Sequence, residues 1–330
     1  MPFSHIAGTG SAVPERILSN HELEKIVDTS DEWIMRRTGI KERRLSSTGK
    51  HESTADLGTA AARRAMEIAD ISERQIDTII TSTVTADRIT PSAACLIQHQ
   101  LEANHAAAFD VSAGCSGFTY GLELADASIR AGKAETVLVI GAERLSTFVN
   151  WQDRGTCVLF GDGAGAIVIS ARDAPGGILS THIRSDGALW DLLYCEDGNP
   201  GPPDILNYIK HIPFHIKMEG NRLFKKAVAF MADIALQSLA QNKLVRDDIA
   251  IVIPHQANLR IIQAISEKID IPMDRFYTNL HRYGNTSSAS IPLAMDEAFR
   301  QGLIKKGDHV LLVSFGAGLT WGAAVIQWSI

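Results

Sequence analysis

The sequence predicts an α/β protein built from two similar halves, and two observations carry that expectation. Residues 249–253 and 310–313 are continuous apolar runs rather than alternating ones. Such runs belong to strands buried on both faces, with helices outside. The chain also repeats itself. A shift of 170 residues lays Gly114 on Gly284, Cys115 on Asn285, Arg130 on Arg300 and Gly132 on Gly302. Three extra residues in the second copy then bring 136–141 onto 309–314, and 77–80 resembles 249–252 in character. The shared order of loop, helix, glycine and apolar strand favours duplication over chance. Internal similarity of this kind decides the fold before any single element does. The halves are drawn at 1–172 and 173–330, packed into one body.

The elements follow in chain order. Residues 53–69 read as a helix with Leu57, Ala61, Ala65 and Ile68 on one face, and 76–83 as a strand. Residues 91–101 read as a helix started by Pro91 near its first position. A short strand at 107–111 leads into the Cys115 loop. Phe118, Leu122, Ala125 and Ile129 then mark one buried stripe of a helix that ends near Gly132. Residues 137–140 are the next strand. Residues 164–170 and 177–182 look like a strand pair joined by a turn at 175–177, and 197–203 like a surface loop. Phe224, Val228, Met231, Ala235 and Leu239 form a helical stripe, and 323–328 is a final strand.

Composition excludes several classes. Hydrophobic residues make up 45% and charged residues 21%, the balance of a soluble globular protein. A net charge of −6 and the absence of a basic run argue against a nucleic-acid binder. Neither a signal peptide nor an apolar run long enough to span a membrane is read. The four cysteines, Cys95, Cys115, Cys157 and Cys195, show no paired spacing, which fits a reducing cytoplasm.

Three separated motifs carry the chemistry: 114–117 (GCSG), 254–258 (PHQAN) and 284–288 (GNTSS). Each lies where an extended run meets a helical pattern, at the positive end of a helix. A free cysteine is usually a small buried hydrophobe. Cys115 differs, because it sits on a glycine-flanked strand-to-helix turn, where a nucleophile is presented and its thiol pKa lowered. His255 follows a buried strand, at the end where α/β proteins build sites. Asn285 alone would read as a cap or turn residue, but it occupies the position of Cys115 in the repeat. A Cys, a His and an Asn in one pocket suggest thioester chemistry. A Cys-His-Asn hydrolase and a non-catalytic binding protein are the competing readings. Residues 160–165 (FGDGAG) resemble a phosphate loop, but a strand follows instead of a helix, so tight turning and close packing are expected there. His211 and His215 flank Pro213, so no metal site is expected.

At these motifs the chain resembles the β-ketoacyl-acyl-carrier-protein synthase III family, the initiating condensing enzymes of bacterial fatty-acid synthesis. The resemblance runs nearly end to end and includes 31–34 (DEWI), 37–40 (RTGI), 91–95, 153–156 (DRGT), 218–221 (MEGN) and 315–321. It implies a thiolase-like duplicated fold in five αβαβα layers, normally a homodimer, with no resident cofactor because the CoA thioester is a substrate. By the same resemblance, Cys115 takes an acyl group from acyl-CoA, and His255 and Asn285 bind the thioester carbonyl of malonyl-acyl-carrier protein. Backbone N–H groups of Cys115 and Ala317 form an oxyanion hole. Trp33, Arg37, Arg154, Gly220, Asn258 and Phe315 hold CoA. Lys225 and Arg260 match basic positions that dock the acidic carrier protein, although a further family position that is often basic is Glu267 here. Thr90 matches a position that closes the partner subunit's acyl tunnel, and its small size implies room for primers longer than acetyl. Residues 195–215 follow the family pattern least, and a sister enzyme on the same fold, condensing or transferring unusual acyl groups in secondary metabolism, is a further competing reading.

Overall fold

Apolar β-branched runs become two buried sheets. The structure is a computed structural model that describes residues 1–47, 50–196 and 215–330. Its strands in chain order are β1 Phe3–Ala12, β2 Arg16–Ser19, β3 Glu42–Leu45, β4 Thr78–Ser82, β5 Ala107–Val111, β6 Thr136–Arg144, β7 Asp162–Arg172, β8 Gly177–Ser185, β9 Leu193–Glu196, β10 His215–Met218, β11 Ile249–Pro254, β12 His309–Gly316 and β13 Thr320–Gln327. The first main sheet has the order β5-β4-β6-β7-β1, and the second β11-β12-β13-β8. In the first, β4 runs parallel to β5 and β6, while β6–β7 and β7–β1 are antiparallel. The second repeats this pattern, parallel at β11–β12 and antiparallel at β12–β13 and β13–β8. Where β5 would stand, Phe276 makes a single parallel bridge to Val252. Two further pairs, β2–β3 and β9–β10, are small.

The helices are α1 Asn20–Leu23, α2 Asp31–Thr38, α3 Thr54–Ala69, α4 Ala93–Leu101, α5 Gly117–Arg130, α6 Gly220–Gln241, α7 Leu259–Ile269, α8 Leu280–Tyr283 and α9 Ser290–Arg300. Helices α3 and α4 cover the outer face of the first sheet, α6 covers that of the second with α7 packed on it, and α5 and α9 lie between the sheets. The result is the five-layered αβαβα thiolase-like fold. Phe118, Leu122, Ala125 and Ile129 are all fully buried in the central layer. Each of the larger three contributes roughly 1.5–3 kcal/mol by leaving water. Gly132 (φ +67) stands two residues past the end of α5 and Gly302 (φ +69) two past the end of α9, so the repeat holds in backbone conformation. Among the described residues no helix is long and apolar enough to cross a membrane.

Four expectations need correction. The strands β7 and β8 do not pair: β7 lies between β1 and β6, and β8 pairs with β13. The link at 173–176 therefore carries the chain from one sheet to the other. Helix α4 starts at Ala93 with Ser92 as its cap, whose side chain accepts from Cys95 N, and Asp110 accepts from the N–H groups of Ala93 and Ala94. Pro91 lies outside it. Ile68 is 39% exposed, because the buried arc of α3 is broad and centred on Gly58 and Ala62 rather than on Leu57. In α6, Leu223 and Ala227 are buried, whereas Phe224 and Val228 are half-buried beside them. The expected loop at 197–203 lies outside the described residues.

Candidate active site

Elements from both halves build one cavity of about 720 Å³ lined by Cys115, His255 and Asn285. Cys115 sits in a single 3-10 turn, Gly114–Ser116, that runs straight into α5. Gly114 adopts φ +53, and a Cβ there would lie 2.7 Å from the nitrogen of Ala317. A Cβ on Gly316 would likewise fall 2.4 Å from the nitrogen of Cys115. The β12–β13 turn is thus pressed against the Cys115 loop, which brings the backbone of Ala317 beside that of Cys115.

His255 follows β11, and its N–H donates to Val313 O at 2.8 Å. Its ring Nδ1 meets Ser290 Oγ at 2.7 Å. Burial pushes the imidazole down to about 3, so it is neutral throughout the physiological range. Asn285 is gripped through its backbone: its N–H donates to Leu159 O at 2.8 Å, and its carbonyl accepts from Gly161 N at 3.0 Å. Its side-chain oxygen accepts from Ser287 N at 2.8 Å, which leaves the amide NH2 free to donate into the cavity. The glycine run at 160–165 therefore does the close backbone packing expected of it.

Cys115 keeps some surface along the cavity, yet protein encloses its sulfur. Burial pushes the thiol up to about 12, Ser287 opposes the rise, and a charge on Glu143 would add to it. This corrects the expectation of a lowered pKa: the desolvation of a sulfur set this deep outweighs the pull of the helix end.

Trp33, Arg37, Gly220, Asn258 and Phe315 also line the cavity. Arg154 is exposed and stacks over Trp33, 4.9 Å from guanidinium to ring centroid, with Arg37 at 5.9 Å. Asn258 caps α7 and donates to Arg37 O at 3.0 Å, joining two of these groups. Lys225 and Arg260 are exposed lining residues, and Arg260 packs 5.7 Å from the Phe224 ring. Thr90 is exposed and does not border this cavity. His211 lies outside the described residues. Among the described residues no cluster of metal-ligating side chains occurs.

Sequence reasoning misses Ser287, Ser290, Phe224 and above all Glu143, a fully buried carboxyl behind the Cys115 turn. Its one sequence signal is a charged residue ending the apolar run 137–142.

Comparison with known proteins points one way. A family model described as 3-oxoacyl-(acyl-carrier-protein) synthase III matches residues 109–187, and its C-terminal counterpart matches 239–328. A β-ketoacyl-acyl-carrier-protein synthase III of Caldanaerobacter subterraneus is 50% identical over 324 residues, covering 98% of this chain and 97% of that one. That of Roseiflexus castenholzii is 49% identical over 330 residues, covering 99% and 98%. The crystal structure of 3-oxoacyl-(acyl-carrier-protein) synthase III from Aquifex aeolicus superposes with a TM-score of 0.91 at 46% identity, covering 98% of this chain and all of that one. A priming β-ketosynthase from the R1128 polyketide pathway superposes with the same TM-score, 0.91, at 34% identity, covering 99% and 96%.

Proposed function

This chain belongs to the 3-oxoacyl-(acyl-carrier-protein) synthase III family, and from that membership we propose how its own residues carry the reaction. The enzyme condenses an acyl-CoA primer with malonyl-acyl-carrier protein, initiating fatty-acid synthesis. The observation that carries the assignment of roles is the convergence of Cys115, His255 and Asn285 on one cavity.

The Cys115 sulfur attacks the primer's thioester carbon, CoA leaves as its thiol, and the backbone N–H groups of Cys115 and Ala317 hold the oxyanion in between. In the second half-reaction the malonyl carboxylate departs as carbon dioxide. The electron pair of the broken bond forms an enolate, whose oxygen accepts hydrogen bonds from His255 Nε2 and Asn285 Nδ2. Ser290 Oγ accepts from Gln256 N at 3.4 Å, and we assign the serine's hydrogen to His255 Nδ1, the arrangement that places the ring's hydrogen on Nε2. The enolate carbon then attacks the acyl thioester, and the Cys115 thiolate leaves. Decarboxylation supplies the carbanion, so two fixed neutral donors suffice and no strong base is needed.

Trp33, Arg37 and Arg154 stack on and neutralise the nucleotide end of CoA, while Gly220, Asn258 and Phe315 border its pantetheine arm. Lys225 and Arg260 dock the acidic carrier protein. The enzyme works as a cytoplasmic homodimer without a resident cofactor, and Thr90 of each subunit faces the partner's acyl tunnel. Incubation with a panel of acyl-CoA primers and malonyl-acyl-carrier protein tests the reading. Mass detection of β-ketoacyl-carrier protein, with the primer's acyl group trapped on Cys115, is the expected result. Release of free acid without a malonyl substrate would overturn it in favour of a hydrolase.

A further inference from the structure

Glu143 is fully buried at the end of β6, and every group that shapes it is uncharged: Thr83, Thr85, Ser287, Ser288 and the N–H of Val84. The titratable group facing it is Cys115, across Ser287. Its strand neighbour Arg144 sits opposite Asp162 on β7, whose carboxylate is occupied by Ser46 and Ser146.

The hydrogens around this carboxyl can be counted. Thr83 Oγ1 accepts from Thr85 N at 3.1 Å, and Thr85 Oγ1 accepts from Arg144 N at 2.8 Å. Both threonine hydroxyls are therefore free to donate to Glu143 Oε2, at 3.2 and 2.6 Å, with Val84 N adding a third donor at 3.1 Å. The other oxygen, which the same Val84 N approaches less closely at 3.3 Å, has different side-chain neighbours. Ser288 Oγ lies 2.9 Å from Glu143 Oε1 and 2.7 Å from the carbonyl of Ser82. A serine has one hydrogen, and a carbonyl can only accept. With that hydrogen on Ser82 O, the contact to Oε1 needs a hydrogen supplied by Glu143. Ser287 Oγ lies 3.1 Å from the same Oε1 and also faces the Cys115 sulfur.

We propose that Glu143 is held as a neutral carboxylic acid that donates to Ser288 and so leaves the single Ser287 hydrogen for the Cys115 sulfur. Glu143 is then a positioning residue that acts through Ser287. An ionised Glu143 would draw the Ser287 hydrogen to itself and set a second negative charge behind a thiolate. Burial, which raises this carboxyl's pKa, favours the same state. The inference rests on Cys115 as the nucleophile, but the test below reads the carboxyl and the thiol separately.

The experiment uses the full-length enzyme and three readouts. Infrared difference spectra of wild type minus Glu143→Gln at neutral pH should contain a protonated-carboxyl carbonyl band. Iodoacetamide labelling, mapped by mass to Cys115, should rise with pH as the thiolate forms, level off in wild type at the alkaline pH where that band disappears, and keep rising through it in Glu143→Gln. Ser287→Ala should label about tenfold or more slowly, as expected for loss of a hydrogen bond to a charged group. A carboxylate band in place of the acid band at neutral pH, measured also in the wild-type titration alone, overturns the proposal. So does Ser287→Ala labelling at the wild-type rate. Labelling that maps to other cysteines refutes the nucleophile instead and leaves the infrared result to decide the state of Glu143.

Discussion

The turns that carry Cys115 and Asn285 begin alike and diverge within two residues. Each opens on a glycine with positive φ, +53 at Gly114 and +65 at Gly284. Each leads to a helix bearing an i,i+4 aspartate–arginine pair, Asp126–Arg130 in α5 and Asp296–Arg300 in α9. In the first half the 3-10 turn includes Cys115 and runs directly into α5 at Gly117. In the second, the 3-10 turn comes later, at Ser287–Ala289, and α9 starts at Ser290. Cys115 is therefore placed in the field of a helix end. Asn285 stands clear of its helix and is fixed instead by hydrogen bonds with Leu159, Gly161 and Ser287. One duplicated frame thus serves two needs: a nucleophile whose charge must be tolerated, and a neutral donor whose direction must be held to within a hydrogen bond.

The largest test of that division is the nucleophile itself. Cys115→Ser should lower condensation on the order of 10,000-fold or more, the scale at which loss of a nucleophile is felt. A stopped assay for β-ketoacyl product reads it, and a modest loss would remove Cys115 from its half of the comparison.

His255→Ala and Asn285→Ala should each slow malonyl decarboxylation by about 100- to 1,000-fold while acylation of Cys115 persists. If both lose acylation and keep decarboxylation, the roles of the two turns are exchanged. The histidine adds a pH signature. Its native pKa of about 3 lies below the usual 6.5, so between those values the unfolded chain binds a proton that the native state refuses. Stability should therefore fall as pH is lowered through that window, and His255→Ala should flatten that part of the slope in urea unfolding.

The matched ion pairs sharpen the comparison further. Asp296 has a side chain 2% exposed and also accepts from Thr9 and Ser11 at 2.9 and 2.6 Å, whereas Asp126 is 12% exposed. Asp296→Ala should cost about 3 kcal/mol, and Asp126→Ala about 1 kcal/mol. Equal midpoints in urea would show that the extra donors on Asp296 are idle.

The last test sits at the two glycines. Gly114→Ala and Gly284→Ala force a side chain into positive φ and against a backbone atom, Ala317 N at 2.7 Å and Leu159 O at 2.6 Å. Each should cost roughly 1–3 kcal/mol. A large difference between them would break the claim of a shared backbone.

Much of this architecture is legible in the amino-acid sequence. The strand at 107–111, the stripe from Phe118 to Ile129 and the order of loop, helix and glycine are local patterns, and the fold keeps them. What the sequence hides depends on distant partners. The turn at 175–177 looks like a hairpin, but β7 is already paired on both edges, with β1 and β6, and has no edge left for β8. Ile68 satisfies the helical period, yet the centre of the buried arc is set by what α3 packs against. Glu143 is invisible as a site residue because its donors come from 83–85 and 287–288. The thiol pKa escapes for the same reason: a helix end can be read from sequence, and depth of burial cannot.

The cavity walls around Cys115 include the buried side chains of Phe160 and Phe315. Once an acyl group sits on the sulfur, water is the rival of the carrier-bound enolate. These aromatic walls give water few polar groups to rest on. The primed enzyme is in this sense a battery: it holds a charged thioester until the second substrate arrives, and its shelf life is set by how slowly the walls leak.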